Sequence, residues 1–180
     1  MIENLTVNQG FINWKYNQSE IVLEIIEAFC ATEEDNLNLI RVVAGENYVA
    51  TKVYYYSYSG VLKLFCDMKL GIIEWGNDGK TKKVNIHGIQ EVLYSPLFKR
   101  ILILCDGGKS ELIGYNLEGD LLFKVNQPEG FKLLYFTWSK ESVWVVCDGD
   151  KNNEDQYGRY RYNFRLDINK GNLFKESLAY

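Results

Sequence analysis

Histidine and proline are the scarcest informative residues here: 180 residues hold one His and two Pro. One histidine, His87, leaves a nucleophilic triad a single candidate base and leaves zinc short of imidazole ligands. No C-x-x-C pair, G-x-S-x-G elbow or phosphate-binding glycine loop occurs. Apolar runs fall far short of the roughly 20 residues needed to span a bilayer. The opening MIENLTVNQG has neither a cationic stretch nor an apolar core, so no secretory leader is read. Basic excess is also missing. A net charge of −4 and a pI near 5.2 argue against nucleic acid and fit a basic protein partner. These absences point to a cytoplasmic chain with no membrane contact, no cofactor and free thiols. The sequons at residues 4–6 and 17–19 then read as chance.

What is present is apolar and aromatic. Hydrophobic residues make up 47% and aromatics 14%, with 13 Tyr. That suits a packed globule, and one domain over residues 1–180 would bury roughly 70% of its extended-chain surface. Tyr suits both strands and polar-rimmed contact surfaces.

The segment ILILCDGG (101–108) returns as VWVVCDGD (143–150), and SGVLKLFCDM (59–68) carries the same Cys-Asp pair. With Cys30 the steps are 36 residues to Cys66, 39 to Cys105 and 42 to Cys147. A period near 40 with small length changes is what loop variation produces in a repeated supersecondary unit. Each Cys is followed by a polar turn, a second strand-like segment and a tight-turn signal: Gly45-Glu46-Asn47, Asn77-Asp78-Gly79, Glu118-Gly119-Asp120, Asn169-Lys170-Gly171. The pattern predicts an all-β fold of about four antiparallel four-stranded units, near 11–52, 53–85, 89–126 and 131–178. Residues 1–10 add an edge or clasp strand, because Val7-Asn8-Gln9 echoes Val125-Asn126-Gln127. The strand ending at Cys105 is apolar on both alternating faces and must be covered twice.

Residues 19–31 read two ways. Repeat register makes them a strand. Asn17 with Glu20 as a capping box, and Ile21, Ile25 and Phe29 at helical spacing, make them a helix.

The repeated, two-sided strands resemble β-propeller blades, in a small or partial propeller. The Gly-His and Trp-Asp signatures of the WD40 family are missing, as is the Ser-x-Asp-x-Gly box of sialidases.

Repeat-equivalent cysteines would point into successive interfaces rather than converge on one metal, so they read as core. Asp148, Asp150 and Asn152 sit at positions 1, 3 and 5 of a calcium-loop spacing, but Asn153 and Arg159 occupy positions 6 and 12, where Gly and Glu are required. The lysines Lys80, Lys82 and Lys83 read as protection of a sheet edge. Paired carboxylates for glycoside chemistry have no distinguishing signature.

A surface remains. In up-and-down units the second and fourth loops share a face, which would gather Glu33, Glu34, Asp35, Asp67, His87, Asp106, Asp148, Asp150, Glu154, Asp155 and Tyr157. Acids steer basic partners and Tyr anchors interfaces. A small, acidic, Tyr-rich chain without catalytic motifs is similar in general character to bacterial immunity proteins. That resemblance implies a non-enzymatic module that occludes a toxin's active site with an acidic surface. The alternative is a small-molecule or carbohydrate site at a propeller hub, built from His87 and loop acids, in a binding protein or an enzyme.

Overall fold

The computed structural model describes residues 2–77 and 79–179. Among these, every regular element is a strand except two single 3-10 turns at Glu46–Tyr48 and Lys151–Asn153. No helix is long and apolar enough to cross a membrane. The all-β expectation holds, with four antiparallel sheets. The chain divides into two compact units at Ile86/His87.

In the first unit, β1 (Glu3–Asn8), β2 (Phe11–Tyr16) and β3 (Ser19–Glu24) form a three-stranded meander. Next come β4 (Ala28–Glu34), β5 (Leu39–Ala44), β6 (Lys52–Ser57), β7 (Leu62–Asp67), β8 (Ile72–Asn77) and β9 (Lys80–Asn85), paired in sequence order as one six-stranded sheet. Asp78 of the Asn77-Asp78-Gly79 turn signal lies outside the described residues. Between the two sheets Ile12 and Trp14 pack with Ile40, Val42, Ala44, Tyr56 and Tyr58. The Trp14 indole N–H is satisfied by the Tyr58 carbonyl at 2.7 Å, so the largest core side chain carries no unmet donor.

The second unit holds two four-stranded sheets: β10 (Ile89–Ser95), β11 (Arg100–Asp106), β12 (Ser110–Asn116), β13 (Leu121–Asn126), then β14 (Phe131–Trp138), β15 (Val143–Gly149), β16 (Arg161–Leu166), β17 (Leu173–Leu178). On β11, Ile101, Leu102, Ile103 and Leu104 are all 0% exposed, as a strand apolar on both faces requires. Phe123 joins the sheets. Its ring lies over Gly114, where a Cβ would come within 2.3 Å, and against Gly171 of the β16–β17 turn, where a Cβ would come within 2.6 Å. Polar stitches add to it: the Glu91 carboxylate accepts from the Phe136 N–H at 2.8 Å, and Gln90 donates to the Leu134 carbonyl at 2.9 Å.

Three expectations need correction. Residues 19–31 are not helical. Asn17 and Gln18 both take left-handed backbone, φ 49° and 65°, and close a two-residue hairpin in which Tyr16 faces Ser19. The supposed helix cap is thus a hairpin turn of the type that matches strand twist. A second turn at Ile25–Glu27, with Glu27 at φ 67°, then starts β4.

Second, the sheets are not four equal four-stranded units. β5 pairs with β6 residue for residue, from Leu39 opposite Ser57 to Ala44 opposite Lys52, so β4 and β5 extend the next sheet to six strands. Third, Cys30 does not occupy the inner-strand position of Cys66, Cys105 and Cys147. It lies on β4, the sheet's first edge strand, and stays partly exposed while the other three are buried.

Ile103→Ala should therefore lower unfolding free energy by about 2–5 kcal/mol, because it opens a cavity in a doubly covered strand. Leu121→Ala, at a 54% exposed edge position, should change it by about 0.5 kcal/mol or less. Urea unfolding of both variants measures the contrast.

Candidate functional site

The acids singled out from sequence do not form one face. Glu33, Glu34 and Asp35 lie at the β4–β5 end of the six-stranded sheet, where Glu34 faces Leu39 and Leu39 faces Ser57. Asp67 faces Lys52 at the opposite end. Antiparallel turns alternate between the two ends of a sheet, and reading β4 as an inner strand put Glu33–Asp35 at the wrong one.

Asp67 is buried and accepts the Leu70 N–H at 2.8 Å, which closes the β7–β8 turn. Glu33 accepts the Ile2 N–H at 3.4 Å. Burial of Glu34 holds its carboxyl above the usual range, against the opposing pull of its hydrogen bond from Thr32.

In the second unit the remaining candidates do gather at one end. Asp106 N–H donates to the Gly88 carbonyl at 2.8 Å, which sets His87, exposed, beside the β11–β12 loop. Asp148 ends β15 beside Gly149, which faces Phe131 at the same end of its own sheet, and the β15–β16 loop with Asp150, Glu154, Asp155 and Tyr157 follows. The Lys132–Asp106 ion pair at 2.7 Å ties the two ends together.

Nearly every carboxylate there is occupied by the protein itself. The Lys132 ammonium, through its hydrogen bond and charge, holds the Asp106 carboxyl below the ordinary range. Arg161 grips Asp148 with two donors at 2.7 and 3.2 Å. Asp150 accepts from the Asn152 N–H and the Asn153 amide, capping the 3-10 turn. Asp155 binds Arg159 at 2.7 Å, and that hydrogen bond holds its carboxyl low. The Arg159 guanidinium in turn lies 5.0 Å from the Tyr157 ring centroid. A calcium-loop reading fails on the same geometry, since Asp148 and Asp150 face protein donors. No cluster of three potential metal ligands occurs among the described residues. Of these candidates, His87 and Glu154 have no side-chain partner among the described residues.

A different site emerges in the first unit. The Ile25–Glu27 turn, the β1–β2 turn and the β5–β6 connection enclose an open cleft of about 730 Å³. Glu24, Glu27 and Glu46 line it with Phe29, Tyr48 and Ile26, and among the described residues no lysine or arginine lines it. A smaller cleft of about 320 Å³ continues from Glu27 and Glu46 toward Lys52 and Asp67. Lys52 reaches Glu27 only at 3.9 Å.

Unusual backbone builds this wall. Gln9, Glu27, Asn47 and Tyr48 all have positive φ, from 48° to 67°, and all line the cleft. A bulky residue such as Tyr48 in that region costs about 1–3 kcal/mol and persists only where its surroundings over-determine it. Here they do. The Gly45 N–H donates to the Glu27 carbonyl at 3.0 Å, and Thr51 N–H to the Ala44 carbonyl at 3.0 Å. A Cβ on Gly45 would come within 1.9 Å of the Val49 carbonyl oxygen, so only glycine fits. The result is a Tyr48 side chain 83% exposed.

Tyr48 has apolar company. Ile26 is 77% exposed and Val49 64%. On the adjoining outer face of the meander, Phe11 faces Glu24 and Val22 faces Asn13, and Phe11 and Val22 are also exposed. Glu20 and Glu24 flank Val22 on that face. Sequence reading noted Gly45-Glu46-Asn47 as a turn, but exposure of Ile26 and Tyr48 was hidden, because Ile25-Ile26 reads as core. Neither a protein-family model nor a curated protein matches this chain.

Three of the four cysteines are buried, and Cys30 is partly exposed. Burial pushes the Cys105 thiol up to about 11 and Cys147 up to about 12, far from thiolate character at neutral pH. At pH 8 an aromatic disulfide reagent should modify Cys30 alone on the folded protein and all four thiols in denaturant. Fast reaction at two or more sites on the folded chain would contradict this burial pattern.

Proposed function

We propose that this chain is a non-enzymatic protein-binding module that docks a basic partner on the acid-rimmed apolar surface of its first unit. It would act by covering the partner's site, as an immunity protein covers a toxin's active site. One observation carries this reading: Ile26 and Tyr48, 77% and 83% exposed, line one cleft with Glu24, Glu27 and Glu46, and exposed Phe11 stands opposite Glu24 on the adjoining strand pair. Large apolar side chains scattered singly need no explanation, but a contiguous patch with a polar rim is the anatomy of a docking surface. A tyrosine held rigidly outward loses little entropy on contact and makes a good anchor. Carboxylates at the rim, where Glu27 meets Lys52 only at the long distance of 3.9 Å, add steering toward a cationic partner. The acids of the second unit, already bound to Lys132, Arg159 and Arg161, offer less. In this reading the four sheets serve as blades of a propeller-like scaffold that presents the surface.

A photo-crosslinking residue placed at Tyr48 or Ile26 should give one discrete adduct in the cell of origin. The same residue at Leu97, exposed on the second unit, should give none. The triple change Glu24→Lys, Glu27→Lys, Glu46→Lys should remove the adduct. Equal adducts at Tyr48 and Leu97, or an adduct indifferent to charge reversal, would rule out this surface as the docking site.

A further inference from the structure

Phe29 and Tyr48 meet edge to face across the cleft, with ring centroids 5.7 Å apart and planes at 68°. The two rings form a corner in which the edge of one meets the face of the other, and Tyr48, 83% exposed, keeps ring surface open to solvent beside Phe29. Elsewhere the chain fills such faces itself. Arg159 covers Tyr157 at 5.0 Å, Lys175 lies 3.6 Å from the Tyr162 centroid and Arg165 lies 5.2 Å from that of Phe174. Among the described residues no cation covers Phe29 or Tyr48. Glu27 and Glu46 line the same space; Lys52 and Lys69 stand in the adjoining smaller cleft, and Lys52 reaches Glu27 only at the long distance of 3.9 Å.

We infer that this corner is a receptor for an arginine side chain of the partner, a conclusion that rests on the protein-binding reading above. A guanidinium is planar, so it can stack on the open Tyr48 face while its edge donors point at carboxylates. An ammonium is a compact, strongly hydrated charge and uses only part of this geometry. The cleft, about 730 Å³, has room for the side chain and the backbone that carries it. Tyr48 supplies the stacking face, Phe29 the second wall, and Glu27 and Glu46 the acceptors. The device is absent around Tyr157, where Arg159 of the same chain already holds that place.

The test uses the full chain and N-acetylarginine methylamide as probe, followed by amide chemical shifts. Saturable shifts should appear at Phe29 and across 45–49. The neutral isostere, the citrulline derivative, should bind about tenfold more weakly or not at all. Tyr48→Leu keeps apolar bulk without the ring, and Glu46→Gln keeps shape without charge; both should weaken the arginine probe. Because Tyr48 and Glu46 are exposed, neither change threatens folding, and an otherwise unchanged amide spectrum confirms it. Equal binding of citrulline, shifts confined to other regions, or a lysine probe binding as tightly would overturn the inference. A Tyr48 crosslink without arginine-induced shifts removes the arginine receptor and leaves the docking surface. Shifts without any crosslink remove the protein partner and leave a guanidinium site.

Discussion

A strand apolar on both faces has no side to give to solvent, and this constraint organises the chain. β11 meets it most fully, with Ile101, Ile103 and Cys105 on one face and Leu102 and Leu104 on the other, all buried. Its neighbours must then supply cover on both sides. Phe123 does so by lying over Gly114 and against Gly171, a packing that leaves no space for a Cβ at either glycine. In the first unit, Trp14 of the meander, Tyr56 of the six-stranded sheet and Tyr58 just beyond β6 perform the same task. Burial pushes the Tyr56 hydroxyl up to about 12, as expected for a phenol taken from water. Covered sheets leave function to turns and edges, and the exposed apolar patch is built from those.

The same constraint explains what could be read from the residues. A run such as ILILC cannot be placed except as an inner strand, and Cys66, Cys105 and Cys147 all close such strands. The strands that carry them pair in sequence order with their neighbours, as β6–β9, β10–β13 and β14–β17. Cys30 broke the pattern because AFCATEE is less apolar and lies at a sheet edge, where partial exposure is tolerated. Asn17-Gln18 was the harder signal. It lacks the glycine that usually marks a two-residue hairpin, yet both residues adopt positive φ. Without that turn, Ile21, Ile25 and Phe29 fall on a helical face as easily as on two strands.

The candidate site was less legible, for a physical reason. A sequence shows how many acids a loop carries but not which of them find a cation. Asp148 is thirteen residues from Arg161 and lies directly opposite it across β15 and β16. Asp106 finds Lys132 on another sheet. Both look free in the linear chain and are neutralised once strands pair. In the other direction, Ile26 and Tyr48 look like core residues, and a left-handed turn expels each of their segments into solvent. Propensity favours burial of such side chains, and local backbone geometry overrides it here.

Whether a polar or aromatic group is already satisfied within the chain therefore separates structure from function better than residue type does. Tyr157 and Tyr48 are both exposed tyrosines beside acids, at 72% and 83%. Tyr157 sits under Arg159, whose guanidinium also binds Asp155, so an incoming group must displace an existing ion pair and a cation–π contact. Tyr48 demands no such exchange. Its cost was met on folding, in four left-handed residues and a glycine that admits no side chain. Strain kept at a solvent-facing wall gives the folded state nothing by itself, whereas a partner that fits the wall meets a surface needing no rearrangement. Preorganisation of that kind lowers the entropic penalty of association. In the first unit Glu27 has only the 3.9 Å contact to Lys52, and among the described residues Tyr48 carries no cation on its ring.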